Sequence, residues 1–398
     1  VPPDLQQPRN LLYSIAAGIG GTGLDQVAAE TLQIAEERNF LARAICYSTQ
    51  LSTLSPRPQT LRHHPAKLLS LLPRDYYVGA KKHALDRATA RALATGGYDL
   101  LHTWSGDCLR SLRVATRLGI PSVLEIPTWH RNKGKVKKDI THSEILRDAA
   151  RFPKSLLNRL LVTRQQVMAE YALATLILVL SEKAKETFLI AGLPEEKLFL
   201  TSRGVDPLEF TPAATPPDKF RAIFVGSLSR RKGVHVLLEA WRTLDLPPAD
   251  AELILVGNPS TDIAPDRRDL PPGVVLRGHT DDVAAELRRA SLHVFPSECE
   301  GSAKVTYEAS ACGLPQITTR ESGDVVLHER TGLLIPPNNA PALVDALRTL
   351  HADPARRRAY GEAARQRILD HFTWDHYRQR VLAAYDRALT MKGLRVDG

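Results

Sequence analysis

One rhythm constrains the fold of this chain more than any other feature. Short runs that are apolar nearly throughout recur along it, separated by longer segments of helical period. In the first half they are Leu11–Ala16, Ala42–Tyr47, Asp99–Thr103, Ser122–Ile126, Thr175–Leu180 and Lys197–Thr201. In the second half they are Arg221–Gly226, Glu252–Gly257, Val274–Arg277, Leu292–Pro296, Gln316–Thr319 and Gly332–Ile335. A strand with one wet face alternates apolar and polar residues, whereas a strand buried on both faces does not. Continuous apolar runs therefore predict parallel sheets covered by helices on both sides. Helical stretches such as Gly23–Arg38, Val234–Leu244 and Ala340–Leu350 supply the crossovers. Each half reads as a doubly wound, Rossmann-like α/β unit.

The length of 398 residues exceeds one ordinary core, which supports two domains. The expected division is 1–206 and 207–372, with a terminal helix at about 373–390 packing back on the first domain. Asp206–Lys219, with prolines at 207, 212, 216 and 217, is the expected hinge. In open α/β sheets ligands bind beyond the C-terminal strand ends. With two such sheets facing each other, the expected site is the cleft between them.

Composition narrows the partners. Four scattered cysteines (Cys46, Cys108, Cys299, Cys312) have no CxxC spacing, which argues against a disulfide framework or structural zinc. The longest apolar run, Ala172–Leu180, has strand length and falls short of the ~20 residues that span a bilayer. The N-terminal VPPDLQQPRN carries no signal-peptide pattern, and it lacks an initiator Met, so the natural start is expected upstream. A cytoplasmic location follows as an expectation. The net charge of +9 favours anionic partners: nucleic acid, anionic lipid or phosphorylated small molecules.

Three strand-to-helix segments carry candidate chemistry. The first, Gly18-Ile19-Gly20-Gly21-Thr22-Gly23, permits close backbone approach to a phosphate or sugar at a helix N-terminus. It is out of register for GxGxxG, and Tyr47-Ser48-Thr49-Gln50 stands where a dinucleotide fold needs an acid. The second, Gly226-Ser227-Leu228-Ser229-Arg230-Arg231-Lys232-Gly233, sets three cations before a helix, against its dipole. An anionic ligand would relieve that conflict. The third runs from Glu298 to Pro315 and contains Glu300 and Glu308, eight residues apart. If the intervening segment is helical, the two carboxylates lie on the order of 12 Å apart along the axis. A retaining hydrolase needs its carboxylates at roughly 5 Å. This pair suits the two ends of a long ligand instead, with Glu308 accepting from a ribose diol. The N–H groups of Ser302, Ala303, Lys304 and Val305 would then meet a diphosphate or hexose.

GSLSRRKG…LLEAW, EGSAKVTYE and ASACGLP together resemble the GT-B-fold retaining glycosyltransferases of glycosyltransferase family 4. EYALATLILVLSE (170–182), Gly204–Asp206, GLLIPP (332–337) and FTWDHYRQRVLAAY extend the resemblance over most of the chain from about 170. It implies that Lys232 binds the donor diphosphate, Glu308 the nucleotide ribose, and Glu300 the donor sugar. Gly20 and Gly21 then match the N-terminal glycine loop, and His130, in IPTWH, the histidine at the donor sugar. The sequence departs from the family pattern twice. Ser227 replaces an arginine whose charge Arg231 is positioned to supply, and Ser302-Ala303 replace Phe-Gly.

The implied reaction transfers a hexose-type sugar from a nucleotide-diphosphate sugar to an acceptor hydroxyl, with retention. No cofactor or metal is expected: Asp281-Asp282 is not a DxD motif. Arg131–Lys138 holds five cations and no acid, fit for peripheral contact with an anionic membrane face. The leucine-rich helical stripe from Leu156 to Tyr171 follows it. Two other readings stand beside this one. A nucleotide-sugar 2-epimerase would share the fold and act without acceptor. A nucleic-acid-binding protein would suit the charge, but the cations sit at strand-to-helix loops rather than along one face. A phosphorylase-type enzyme needs lysine-bound pyridoxal phosphate, for which no signal is present.

Overall fold

The computed structural model describes residues 8–61, 64–131, 157–263 and 269–396. It groups the chain into two compact units. Unit 1 gathers Val1–Leu180, Lys185–Thr201 and Arg378–Gly398, and unit 2 gathers Ser181–Ala184 and Ser202–Tyr377.

The sheet of unit 1 contains β1 (Leu11–Ser14), β2 (Leu41–Cys46), β3 (Gln59–Thr60), β4 (Leu100–Trp104), β5 (Ser122–Glu125), β6 (Leu176–Val179) and β7 (Leu198–Leu200). Their spatial order is β3-β2-β1-β4-β5-β6-β7, and every pairing is parallel. In unit 2 the strands are β8 (Phe220–Val225), β9 (Ala251–Val256), β10 (Val274–Gly278), β11 (Leu292–Phe295), β12 (Gln316–Thr318) and β13 (Gly332–Leu334). They lie in the order β10-β9-β8-β11-β12-β13, again all parallel. This is the α/β GT-B architecture. All twelve apolar runs form strands, with ends that differ from the runs by one or two residues. The strands β1, β4, β5, β6 and β11 are buried at every position, as sheets covered on both faces require.

The helices include α1 (Leu24–Glu37), α2 (Arg74–Ala94), α3 (Leu109–Arg117), α4 (Arg164–Leu173) and α5 (Glu182–Ile190). They continue with α6 (Val234–Leu244), α7 (Val283–Arg288), α8 (Lys304–Ala311), α9 (Ala340–Ala352), α10 (Pro354–His371) and α11 (Trp374–Val396). From Arg378 onward α11 belongs to unit 1. There Arg378 pairs with Glu30 at 2.8 Å, and the Tyr385 hydroxyl lies 2.7 Å from Nδ1 of the buried His102. The Pro-rich segment 206–219 has no regular helix or strand. It is held on unit 2 by Arg365, which donates to the carbonyls of Phe210 (2.6 Å) and Pro207 (2.9 Å).

Strand order reverses beside β1 in unit 1 and beside β8 in unit 2. The loops leaving β8 and β11 therefore flank a switch point, the place where such sheets bind ligands. Glycine makes the β8 turn fit. Gly233 has φ +75°, and a Cβ there would lie 2.1 Å from the Pro296 carbonyl oxygen. Gly233→Ala should cost at least about 2 kcal/mol, from left-handed backbone strain plus that collision. Urea unfolding of the variant checks this, and an unchanged midpoint would contradict the close approach.

Candidate functional site

The β8 and β11 loops of unit 2 bring the central candidates together. The Arg231 carbonyl accepts from Glu298 N–H at 2.9 Å and Ser297 Oγ at 3.2 Å, which ties the loops edge to edge. Glu300 Oε1 accepts from Lys232 Nζ at 2.9 Å and from Arg231 Nη1 at 2.8 Å. Ser297 Oγ stands 3.3 Å from the same oxygen. Arg231 also donates to the Cys299 carbonyl at 2.6 Å. Beneath Lys232, the ring of Phe295 lies 4.8 Å from its ammonium, a favourable cation–π placement, and Phe295 stacks on Phe224. Two of the three cations before α6 thus already have a carboxylate partner, and the conflict with the helix dipole is partly relieved within the protein.

Helix α8 begins at Lys304, so only the second half of the Glu300–Glu308 interval is helical. The 12 Å separation expected for a continuous helix does not apply. Lys304 to Glu308 covers one turn, about 6 Å of rise, and the rest is a turn at 301–303. Glu308 is buried rather than lying on an exposed helix face, and its Oε1 accepts from Lys304 Nζ at 2.6 Å. Burial pushes its carboxyl above the ordinary range, and the Lys304 ammonium works against that shift.

Not every expected donor N–H is available. Ala303 N–H donates to the Ser322 carbonyl at 2.9 Å, which removes it from the set Ser302–Val305. The N–H groups of Lys304 and Val305 head α8, where no intrahelical acceptor exists for them.

Unit 1 carries the other candidates. Gly20 has φ +90°, a conformation that favours glycine, but its N–H donates to the Asp25 carbonyl at 3.0 Å. Ile19 N–H likewise goes to Ser48 O at 3.0 Å. The loop's hydrogen bonding at these positions is internal, contrary to a phosphate cradle built on Gly20 N–H. Gly21 follows at the half-buried rim of the turn. His130 sits at the end of the β5 loop and is buried. Its ring lies between those of Tyr171 (5.1 Å) and Phe188 (5.0 Å), and its N–H donates to Thr187 Oγ1 at 3.0 Å. Burial lowers its imidazole pKa to about 4, so it is neutral at physiological pH. Of the basic run 131–138, residues 132–138 lie outside the described residues. So does Leu156 of the leucine stripe.

Several further residues at these sites are given no role by the sequence reading. Buried Glu170 on α4 accepts from the N–H groups of Gly106 (2.6 Å) and Cys108 (3.2 Å), and burial raises its pKa to about 8. Asp107 accepts from Ala16 N–H at 2.9 Å and is pushed up to about 7 for the same reason. Both lie at the unit 1 switch point between β1 and β4. In unit 2, Ser181, Arg203 and Tyr307 hold the turn before α8. Ser181 and Tyr307 fall inside the segments EYALATLILVLSE and EGSAKVTYE, and Arg203 immediately precedes Gly204.

Residues 219–353 match the family model described as Glycosyl transferases group 1, which spans both loops of the switch point. D-inositol 3-phosphate glycosyltransferase of Pseudarthrobacter chlorophenolicus is 28% identical over 325 residues, covering 74% of this chain and 72% of that protein. Alpha-maltose-1-phosphate synthase of Mycolicibacterium smegmatis is 29% identical over 227 residues, 49% of this chain and 58% of that one. Sucrose-phosphate synthase from Thermosynechococcus elongatus superposes with a TM-score of 0.65 at 22% identity, over 98% of this chain and 99% of that one. Anabaena HepE in complex with UDP superposes at 0.61 and 16% identity, over 94% and 98%.

The neutral His130 makes a pH prediction. Its folded pKa of about 4 lies below the ordinary value near 6.5, so the unfolded chain takes up the proton first. The stability tied to the neutral ring is present above pH 6.5 and is lost as pH falls toward 4. Wild type should lose more Tm between pH 7.5 and pH 5 than His130→Gln does. Equal losses would mean the ring is solvated.

Residues 219–353 thus resemble the glycosyl transferases of group 1, and the chain shares the two-sheet GT-B fold of the solved structures.

Proposed function

We propose that the chain is a retaining, metal-independent glycosyltransferase that moves a hexose-type sugar from a nucleotide-diphosphate sugar to an acceptor hydroxyl. One observation carries this reading. Two cations from the β8 loop and the head of α8 after β11 converge at a switch point, with Glu300 set between them and Glu308 one helical turn further on.

The chemistry follows from the charges. As the bond from the sugar to the diphosphate breaks, negative charge grows on the departing oxygen. Lys232 and Arg231 stabilise that charge, together with the N–H groups of Lys304 and Val305. Such groups are already oriented before the reaction, so little reorganisation is needed. This set neutralises the leaving group without a divalent ion. Glu308 accepts from the ribose diol. Glu300 exchanges part of its hold on Lys232 for the diphosphate and turns toward the sugar hydroxyls. UDP is the first nucleotide to test, because the Anabaena relative of the same fold binds it.

Glu308→Ala removes a charged acceptor, worth about 2 kcal/mol, or roughly a thirtyfold loss in nucleotide affinity. A thermal-shift screen of wild type and Glu308→Ala against UDP-, GDP-, ADP- and dTDP-sugars tests this. Stabilisation of wild type by none of them removes the donor reading, and an equal shift in Glu308→Ala removes the ribose assignment. Glu300→Gln weakens the internal competitor for Lys232. It should bind the free nucleoside diphosphate at least as tightly as wild type while transfer falls by about a hundredfold. Transfer should also persist in excess EDTA, and NMR of the product should show the donor's anomeric configuration. Turnover of the donor sugar without acceptor, giving its 2-epimer, would favour the epimerase instead.

A further inference from the structure

The turn that leads into α8 is gripped by side chains from two short segments that lie far from it in sequence. Ser181 Oγ donates to the Gly301 carbonyl at 2.6 Å. Arg203 Nε donates to the next carbonyl, that of Ser302, at 2.9 Å. Arg203 N–H also donates to the Tyr307 hydroxyl at 3.2 Å, and that hydroxyl lies 2.7 Å from Ser302 Oγ. These contacts close a ring: Arg203 backbone, Tyr307, Ser302 and back to the Arg203 guanidinium. Gly323 packs against the other side of Ser302, where a Cβ would come within 2.6 Å of Ser302 Oγ.

The geometry has a directional consequence. A peptide unit is planar and trans, so fixing its carbonyl fixes its N–H on the opposite side. Ser181 sets the 301–302 unit. Arg203 on the carbonyl and Ser322 on the N–H hold the 302–303 unit from both ends. Rotation of the 302–303 unit would lose both bonds and set the Ser302 carbonyl against that of Ser322, so the backbone entering α8 would have to shift.

We propose that Arg203 is a positioning residue for the diphosphate: it fixes the 302–303 peptide that enters α8 and so aims the first N–H groups of that helix. The proposal rests on the donor reading above and adds to it the residue that orients the turn. Ser181 does the same for the preceding peptide.

The test measures binding of UDP, GDP, ADP and dTDP by calorimetry, and of the matching nucleosides by NMR, to wild type, Arg203→Met, Arg203→Lys and Ser181→Ala. Arg203→Met should lose about tenfold or more in affinity for the diphosphate that wild type binds, about 1.4 kcal/mol, with nucleoside binding unchanged. Arg203→Lys, which keeps a donor, should recover much of the loss, and Ser181→Ala should show the same pattern. Diphosphate affinity equal to wild type in Arg203→Met overturns the proposal. So does a parallel loss of diphosphate and nucleoside, which marks general damage to unit 2. If Arg203→Met does not fold, Ser181→Ala decides by the same two criteria. A wild type that binds none of the four diphosphates removes the donor reading itself, and this proposal with it.

Discussion

A parallel sheet covered on both faces has no wet face on which to display chemistry. Every polar group that must meet a ligand is driven to the strand ends, and in a doubly wound sheet it gathers where strand order reverses. In unit 2 that place lies between β8 and β11, which end in buried apolar residues at Ala222–Val225 and Val294–Phe295. The change is abrupt: Val225 and Phe295 belong to the core, while Lys232 and Glu300 follow within a few residues. The site is thus a boundary effect of the core, held by the same packing that stabilises the domain.

The Glu300 carboxylate shows what that boundary allows. Its side chain is 15% exposed and Lys232 is 16%, so neither charge is fully hydrated. Removing one partner from such a pair leaves the other poorly solvated, which costs more than the pair contributes. Two cations on one carboxylate leave a net positive charge at the switch point. That excess is what a polyanion would neutralise, and Phe295 beneath Lys232 lets the ammonium be held in place without a second acid.

Much of the fold was legible because both-face burial writes itself as continuous apolar runs. Gln59–Thr60 escaped because both residues are exposed and polar on an edge. Helix α2 gave little signal: its buried face is built from Gly79, Ala80, Ala84, Asp86 and Thr89 as much as from leucine. The cation run and the two glutamates were each visible, yet their meeting was not. Lys232 and Glu300 are 68 residues apart, and only the β8–β11 pairing brings their loops together. Ser181 and Arg203 were harder still. Their roles come from carbonyls that they touch across the fold, and a hydroxyl or guanidinium donating to a backbone oxygen leaves no spacing to read. The Pro-rich stretch 206–219 read as a linker by composition. Arg365 holds it to unit 2 through its carbonyls, a contact that its own residues do not announce.

The return of the last helix has a consequence during synthesis. Unit 1 keeps His102 and Glu125 in its interior 3.3 Å apart, and Tyr385 closes that pair from α11. A ribosome delivers Tyr385 only after the whole of unit 2 has been made. The seven strands of unit 1 are all made by Leu200, but the helix that covers this polar pair is the last element to be synthesised. Completion runs against the order of translation. A chain cut before α11 would leave the buried His102–Glu125 pair without the Tyr385 hydroxyl.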